Sequence, residues 1–127
     1  MPDSGRAEVQ SLKKQNFMKL LSAKEVRIFG LPTNLRGRKY LQTAVILTVA
    51  DRNMVRNMMN QLYPSVAEKH GTTPSRVERA MRHAVGVAWD RGNSAMRAAF
   101  RKKPRNFELI ARIADDICSR LSEFGDY

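Results

Sequence analysis

Apolar residues recur along this chain at spacings of three and four, the period of a helix, and no stretch alternates strictly over the length of a strand. Four stripes stand out. Leu41, Ala44, Val45 and Thr48 form the first, and Met54, Val55, Met58, Met59 and Leu62 the second. Val77, Ala80, Met81, Ala84, Val85 and Ala88 form the third, and Phe107, Ile110, Ala111, Ala114, Ile117 and Leu121 the fourth. Each predicts an amphipathic helix with that stripe turned to the core. Start and stop residues set the bounds. Residues 1–5 are expected to be disordered, and a polar helix to run from Arg6 to Leu21 with Val9, Leu12, Phe17, Leu20 and Leu21 loosely periodic. Ser22-Ala23-Lys24-Glu25 fits a capping box and predicts a new short helix, stopped at Gly30 ahead of Pro32. A helix is predicted over Arg38–Ala50. Asp51 can cap the next one, whose methionine stripe reads as core.

The second half is punctuated more sharply. Pro64 suits the first turn of a short helix ending at His70, and Gly71 the left-handed residue that stops it. Thr73 as N-cap and Pro74 behind it predict a long helix to Arg91, halted by Gly92. Asn93 or Ser94 caps a brief helix through Phe100, Arg101–Arg105 forms a basic loop, and Asn106 caps the last helix. The fold expected is all-α, a compact bundle of about six helices. Residues 1–21 read as a partly helical N-terminal extension and 22–127 as one domain; 127 residues suffice for a single core.

Val66 to Met81, within a unit spanning about 64–91, meets the demands of a helix-turn-helix. Ala67 is small enough for two helices to cross, Gly71 accepts the positive φ of the turn, and Val77 pins the second helix to the first. With about 100° between successive residues, the apolar stripe of the second helix leaves Ser75, Arg76, Arg79, Arg82, His83 and Gly86 on the opposite side. A solvated face would mix signs to gain pairs one turn apart, whereas like charges at such spacing repel. The arginine fork also matches guanine O6 and N7 in the major groove. Two readings of Glu78 stand side by side: it accepts from a cytosine amino group, or it pairs with Arg82 one turn on.

Charge reinforces this. The chain carries 23 Lys and Arg against 12 Asp and Glu, a formal net charge of +11. Between Lys69 and Arg105 ten basic residues face only Glu78 and Asp90, while the segment after Arg105 is acidic. A concentrated excess of this kind points to a polyanion, most often nucleic acid. Arg91, Arg97, Arg101, Lys102, Lys103 and Arg105 read as phosphate contacts, joined by Lys69, Thr73, Ser75 and His83 beside the second helix. The basic stretch lacks the aromatic interleaving that single-stranded or RNA ligands stack upon.

The run Leu62-Tyr63-Pro64-Ser65-Val66-Ala67-Glu68-Lys69, then Thr72-Thr73-Pro74-Ser75-Arg76-Val77-Glu78-Arg79-Ala80-Met81-Arg82-His83-Ala84, then Val87-Ala88-Trp89-Asp90-Arg91-Gly92-Asn93, closely resembles the C-terminal effector domain of the sporulation master response regulator, the stage-zero sporulation protein A family. Weaker similarity runs back through Ile28-Phe29-Gly30-Leu31-Pro32 and forward into the final helix, so that about residues 22 to 122 are covered. The resemblance implies a compact helical DNA-binding domain in which Arg76, Glu78, Arg79 and Arg82 face bases. It implies promoter boxes in double-stranded DNA, a homodimer on that DNA and RNA polymerase as partners, with transcription regulation as the role. The family's full protein also has a phosphoacceptor receiver domain, which these residues do not contain. The segment between Phe100 and Phe107 is shorter and more basic than the family's, and Arg38 and Lys39 add charge at the start of their helix.

Other classes fit less well. Asp115 and Asp116 are adjacent on a helix and point about 100° apart, so they do not form a catalytic pair, and no enzyme is expected. One cysteine and two histidines give no disulfide framework and no metal cage, and no cofactor is implied. Cys118, beside Ile117, reads as a buried thiol, and Trp89 as core. A polar Met1–Gln15 and the lack of any long apolar run imply a cytoplasmic chain with no membrane partner. The competing functions are a non-specific basic DNA binder and a protein-interaction module acting on a family member.

Overall fold

Each apolar stripe needs a partner surface, and six helices supply one another's. A computed structural model describes residues 3–123, with side chains from Ala7 onward. The helices are α1 (Asp3–Ile28), α2 (Arg36–Ala50), α3 (Tyr63–His70), α4 (Pro74–Asp90), α5 (Ser94–Ala99) and α6 (Asn106–Glu123). A 3₁₀ turn, Arg52–Arg56, and a π turn, Met58–Leu62, join α2 to α3. No strand occurs among the described residues. The architecture is all-α, with α3 and α4 as the two arms of a helix-turn-helix.

α2 lies at the centre, touching α1, α3, α4 and α6. Its Leu41, Ala44 and Val45 meet Val66 of α3, Val77, Met81 and Ala84 of α4, and Leu109, Ile110, Ile113 and Ile117 of α6 in one buried core. Gly37 makes the tightest approach: a β-carbon there would run into the backbone carbonyl of Ala80 and the side chain of Ala84. Absence of a side chain thus lets the first turn of α2 rest directly on the α4 backbone. Two ion pairs tie outer elements to α6. Arg120 reaches the buried carboxylate of Glu25 on α1 at 2.9 Å, and Arg52 of the 3₁₀ turn pairs with Asp115.

Several expectations are corrected. α1 is continuous from Asp3, so residues 3–5 are helical, while Met1 and Pro2 lie outside the described residues. Ser22 does not cap a new helix. Its hydroxyl donates back to the Lys19 carbonyl at 3.0 Å, a bond made within a running helix. The stop at Gly30 holds: its φ is 80°, and Leu31 N–H donates to Val26 O. The stripe after Asp51 does not form one helix. Asp51 caps only the 3₁₀ turn, accepting from Asn53 N–H at 3.1 Å, and the chain breaks at Asn57 before the π turn. Met54 and Leu62 are buried as a result, but Met59 is 69% exposed and not core.

On α6 the buried stripe is centred one step from the predicted one. Leu109 and Ile113 are fully buried, and Phe107 is 42% exposed. Cys118 is half-buried instead of enclosed. Asn106 is inside α6 and does not cap it. Arg105 takes that place, its N–H donating to the Glu108 carboxylate at 2.9 Å while its carbonyl accepts from Glu108 N–H at 3.0 Å.

Gly37→Ala is expected to destabilise the protein by about 1–3 kcal/mol, because α2 must shift off α4. Gly86→Ala, which meets nothing nearer than Lys103 Nζ at 4.0 Å, is expected to stabilise it by roughly 0.5–1 kcal/mol through helix propensity. Urea unfolding of the two variants measures both signs.

Candidate nucleic-acid interface

The turn between α3 and α4 is built by backbone bonds that demand particular residues. Gly71 closes α3 at φ 63°, ψ 39°, and Thr72 N–H donates to Ala67 O at 3.0 Å. Thr73 Oγ1 then accepts from Arg76 N–H at 3.3 Å and starts α4, with Pro74 in its first turn. Val66, Ala67, Val77 and Met81 are buried where the two arms meet. The spacing of Ala67, Gly71 and Val77 is therefore realised as a tight two-helix corner.

Burying Val77, Met81, Ala84, Val85 and Ala88 leaves Ser75, Arg76, Arg79, Arg82 and His83 exposed along the other side of α4. Among the described residues no acid pairs with Arg76 or Arg79. Arg82 does have a partner. Its Nε donates to Glu78 Oε2 at 2.9 Å and its Nη2 to Oε1 at 3.3 Å, a two-point grip that sets the plane of the guanidinium. Of the two readings of Glu78, the structure shows the ion pair.

A polar anchor behind α4 was not visible in the sequence. Asn106 Nδ2 donates both to the Tyr63 hydroxyl, at 3.0 Å, and to the Glu78 carbonyl, at 3.2 Å. One buried amide therefore links the start of α6, the start of α3 and the first turns of α4. Burial pushes the Tyr63 phenol above its ordinary 10.0, with the Asn106 hydrogen bond opposing the shift, so the ring stays neutral where it packs. Periodicity assigns Asn106 a cap because asparagine favours helix starts; its reach across 28 positions to Glu78 has no local signal.

Lys102, Lys103 and Arg105 stay exposed around buried Pro104 in the loop before α6, and Arg101 is exposed at its start. The loop lies close enough to α4 for Lys103 to stand beside Gly86 and Arg82. Lys69 is exposed in the last turn of α3 and Arg91 just beyond α4. Arg97 is exposed as well and also makes contacts of its own. Its Nη2 donates to the Trp89 carbonyl at 2.8 Å and its guanidinium lies 4.0 Å from the centroid of the Trp89 ring, which is only half-buried. That arginine helps to finish α4.

Residues 23–117 match the family model described as sporulation initiation factor Spo0A C terminal. The chain belongs to this family. The Spo0A C-terminal family is one of DNA-binding regulatory domains and not of enzymes, which agrees with an arginine-lined helix presented by a helix-turn-helix. The match begins within α1 and ends within α6, so it takes in the whole interface, and the first twenty residues of α1 precede it. Among the described residues no helix is long and apolar enough to cross a membrane.

Asn106→Ala leaves the buried Tyr63 hydroxyl without its partner and removes the link to α4, and is expected to cost about 1–3 kcal/mol, measured by denaturant unfolding. An exposed change such as Arg79→Ala is expected to stay within about 0.5 kcal/mol in the same assay.

Proposed function

We propose that this member of the Spo0A C-terminal family is a sequence-specific regulator of transcription that reads short boxes in double-stranded DNA. The observation that carries the proposal is the arginine face of α4, charged, exposed and opposite a fully buried face. In helix-turn-helix docking the second helix enters the major groove while the first crosses the backbone. Arg76, Arg79 and Arg82 then reach base edges, where an arginine fork engages guanine O6 and N7. Glu78 completes the base-contacting set: it orients Arg82 before DNA arrives and accepts from a cytosine amino group once there. Phosphates compensate the repulsion among the arginines, a benefit that no acid among the described residues provides for Arg76 and Arg79.

Lys69, Thr73, Ser75, His83, Arg91, Arg101, Lys102, Lys103 and Arg105 surround α4 and serve as phosphate contacts. Arg97 is omitted because Trp89 occupies it. Residues 22–127 act as the binding domain, with the helix-turn-helix at about 64–91, and residues 1–21 as an extension. A homodimer on tandem boxes, contact with RNA polymerase and a cytoplasmic location complete the reading.

Two measurements test it. In competition between a preferred box and scrambled duplex, Arg76→Ala, Arg79→Ala and Arg82→Ala are each expected to weaken the box by roughly tenfold or more, with much smaller losses on scrambled DNA. Lys102→Ala and Lys103→Ala are expected to weaken both duplexes alike. Equal losses on both DNAs for the three arginine variants would make the protein a general basic DNA binder. Fluorescence anisotropy across a salt series is expected to give a log–log slope near about −5 if roughly six phosphates are neutralised, and affinity indifferent to salt would defeat the electrostatic account.

A further inference from the structure

A groove of about 420 Å³ lies between the π turn, α4 and the loop before α6. Met58, Met59 and Phe107 supply its apolar lining, and Arg82, Lys103 and Arg105 its cationic one. It runs on into a hollow of about 690 Å³ over Val55, Arg56 and Ala111 that shares the same methionines and Phe107. Met59 and Phe107, neighbours here, are among the most exposed large apolar side chains of the described residues. Met59 is exposed for a reason in the backbone. A straight helix after Asp51 would have turned its methionines inward, but the break at Asn57 and the wider π turn carry Met59 outward while Met58 stays half-buried against the core. Such turns are frequent at functional positions, and methionine adapts to varied apolar partners.

We propose that this groove docks an acidic amphipathic helix of a partner protein. An apolar strip of this kind accepts a helix through side chains spaced at one turn. Charge selects which helix. Arg56, Arg82, Lys103 and Arg105 border the strip, and the nearby acids are already engaged: Glu78 grips Arg82, and Glu108 accepts from the backbone of Arg105. A second copy of this chain is a poor occupant. Its net charge is +11, and the exposed apolar residues of α1, Val9, Leu12 and Leu20, stand among Lys13, Lys14 and Lys19. DNA satisfies the cations but offers the floor no matching apolar strip. Resting on the DNA-binding reading above, the docked helix and DNA compete, since Arg82, Lys103 and Arg105 serve both.

The test uses the full chain and a labelled synthetic peptide of about four helical turns, with leucines at helical spacing and glutamates on the flanks. Anisotropy is expected to show saturable binding. A Met59→Ala/Phe107→Ala double variant is expected to lose at least about tenfold in peptide affinity, with unchanged circular dichroism and DNA affinity within about twofold. A peptide of the same composition in scrambled order is expected to bind at least about tenfold more weakly. Equal binding of the two peptides, or no loss in the double variant, overturns the proposal. Equal loss of DNA and peptide affinity in the double variant also overturns it, and assigns the methionine and phenylalanine to the DNA interface as wedges. Duplex DNA is expected to displace the peptide. Peptide binding that persists under saturating DNA overturns the competition, and a chain that binds the peptide but no DNA overturns the DNA reading while the docking site stands.

Discussion

Contact between the apolar side of α4 and the core, above all the seat that Gly37 makes for the Ala80 backbone, is the constraint on which the functional surface depends. A helix has one orientation about its axis once one side is buried. Val77, Met81, Ala84, Val85 and Ala88 set it here, and the arginines point outward as a consequence, not as a separate design. The corner at Gly71 and the cap at Thr73 fix the angle of approach. Like charges on the exposed side are tolerated because the burial opposite them is worth far more than the repulsion between solvated groups.

Polar contacts then remove the remaining freedom of α4. Asn106 holds its first turns through the Glu78 carbonyl, and Arg97 finishes its last turn at the Trp89 carbonyl. Asn93 accepts from Met96 N–H at 2.8 Å and donates to Ile28 O at 3.0 Å, so the end of α1 is tied to the start of α5. Each such bond contributes modestly to stability, and the asymmetry is largest at the buried Asn106–Tyr63 pair, where a polar group left without its partner is costly. The result is a helix held in one position on its frame.

Around α4 the surface divides by chemistry. Among the described residues no acid pairs with Arg76 or Arg79, whereas Arg82 is gripped by Glu78 and faces the apolar groove as well as the arginine side. Lys103 and Arg105 stand at the same border. A short loop thereby places cations at the edge of both surfaces. This arrangement follows from Pro104 and Asn106 being buried while their neighbours are not.

Patterns confined to one or two turns were legible in the sequence. The stripe of α4, the glycine stops at Gly30, Gly71 and Gly92, the caps at Thr73 and Asn93, and the arginine face all follow from local periodicity and capping, and the structure has each of them. Even the family could be recognised from the run between Leu62 and Asn93, because the residues that build the corner and its face are contiguous. What remained hidden depended on partners distant in sequence. Ser22 reads as a cap by its neighbours, but α1 continues through it because Val26 and Phe29 are buried on the next turn. The methionine stripe reads as one buried helix. The chain breaks there at Asn57, burying Leu62 and Tyr63 and turning Met59 out. Asn106 reads as a helix start, and only the approach of Tyr63 and Glu78 makes it an anchor. Local propensities differ by about 1 kcal/mol or less, so where a buried contact or a buried amide competes with them, tertiary packing decides.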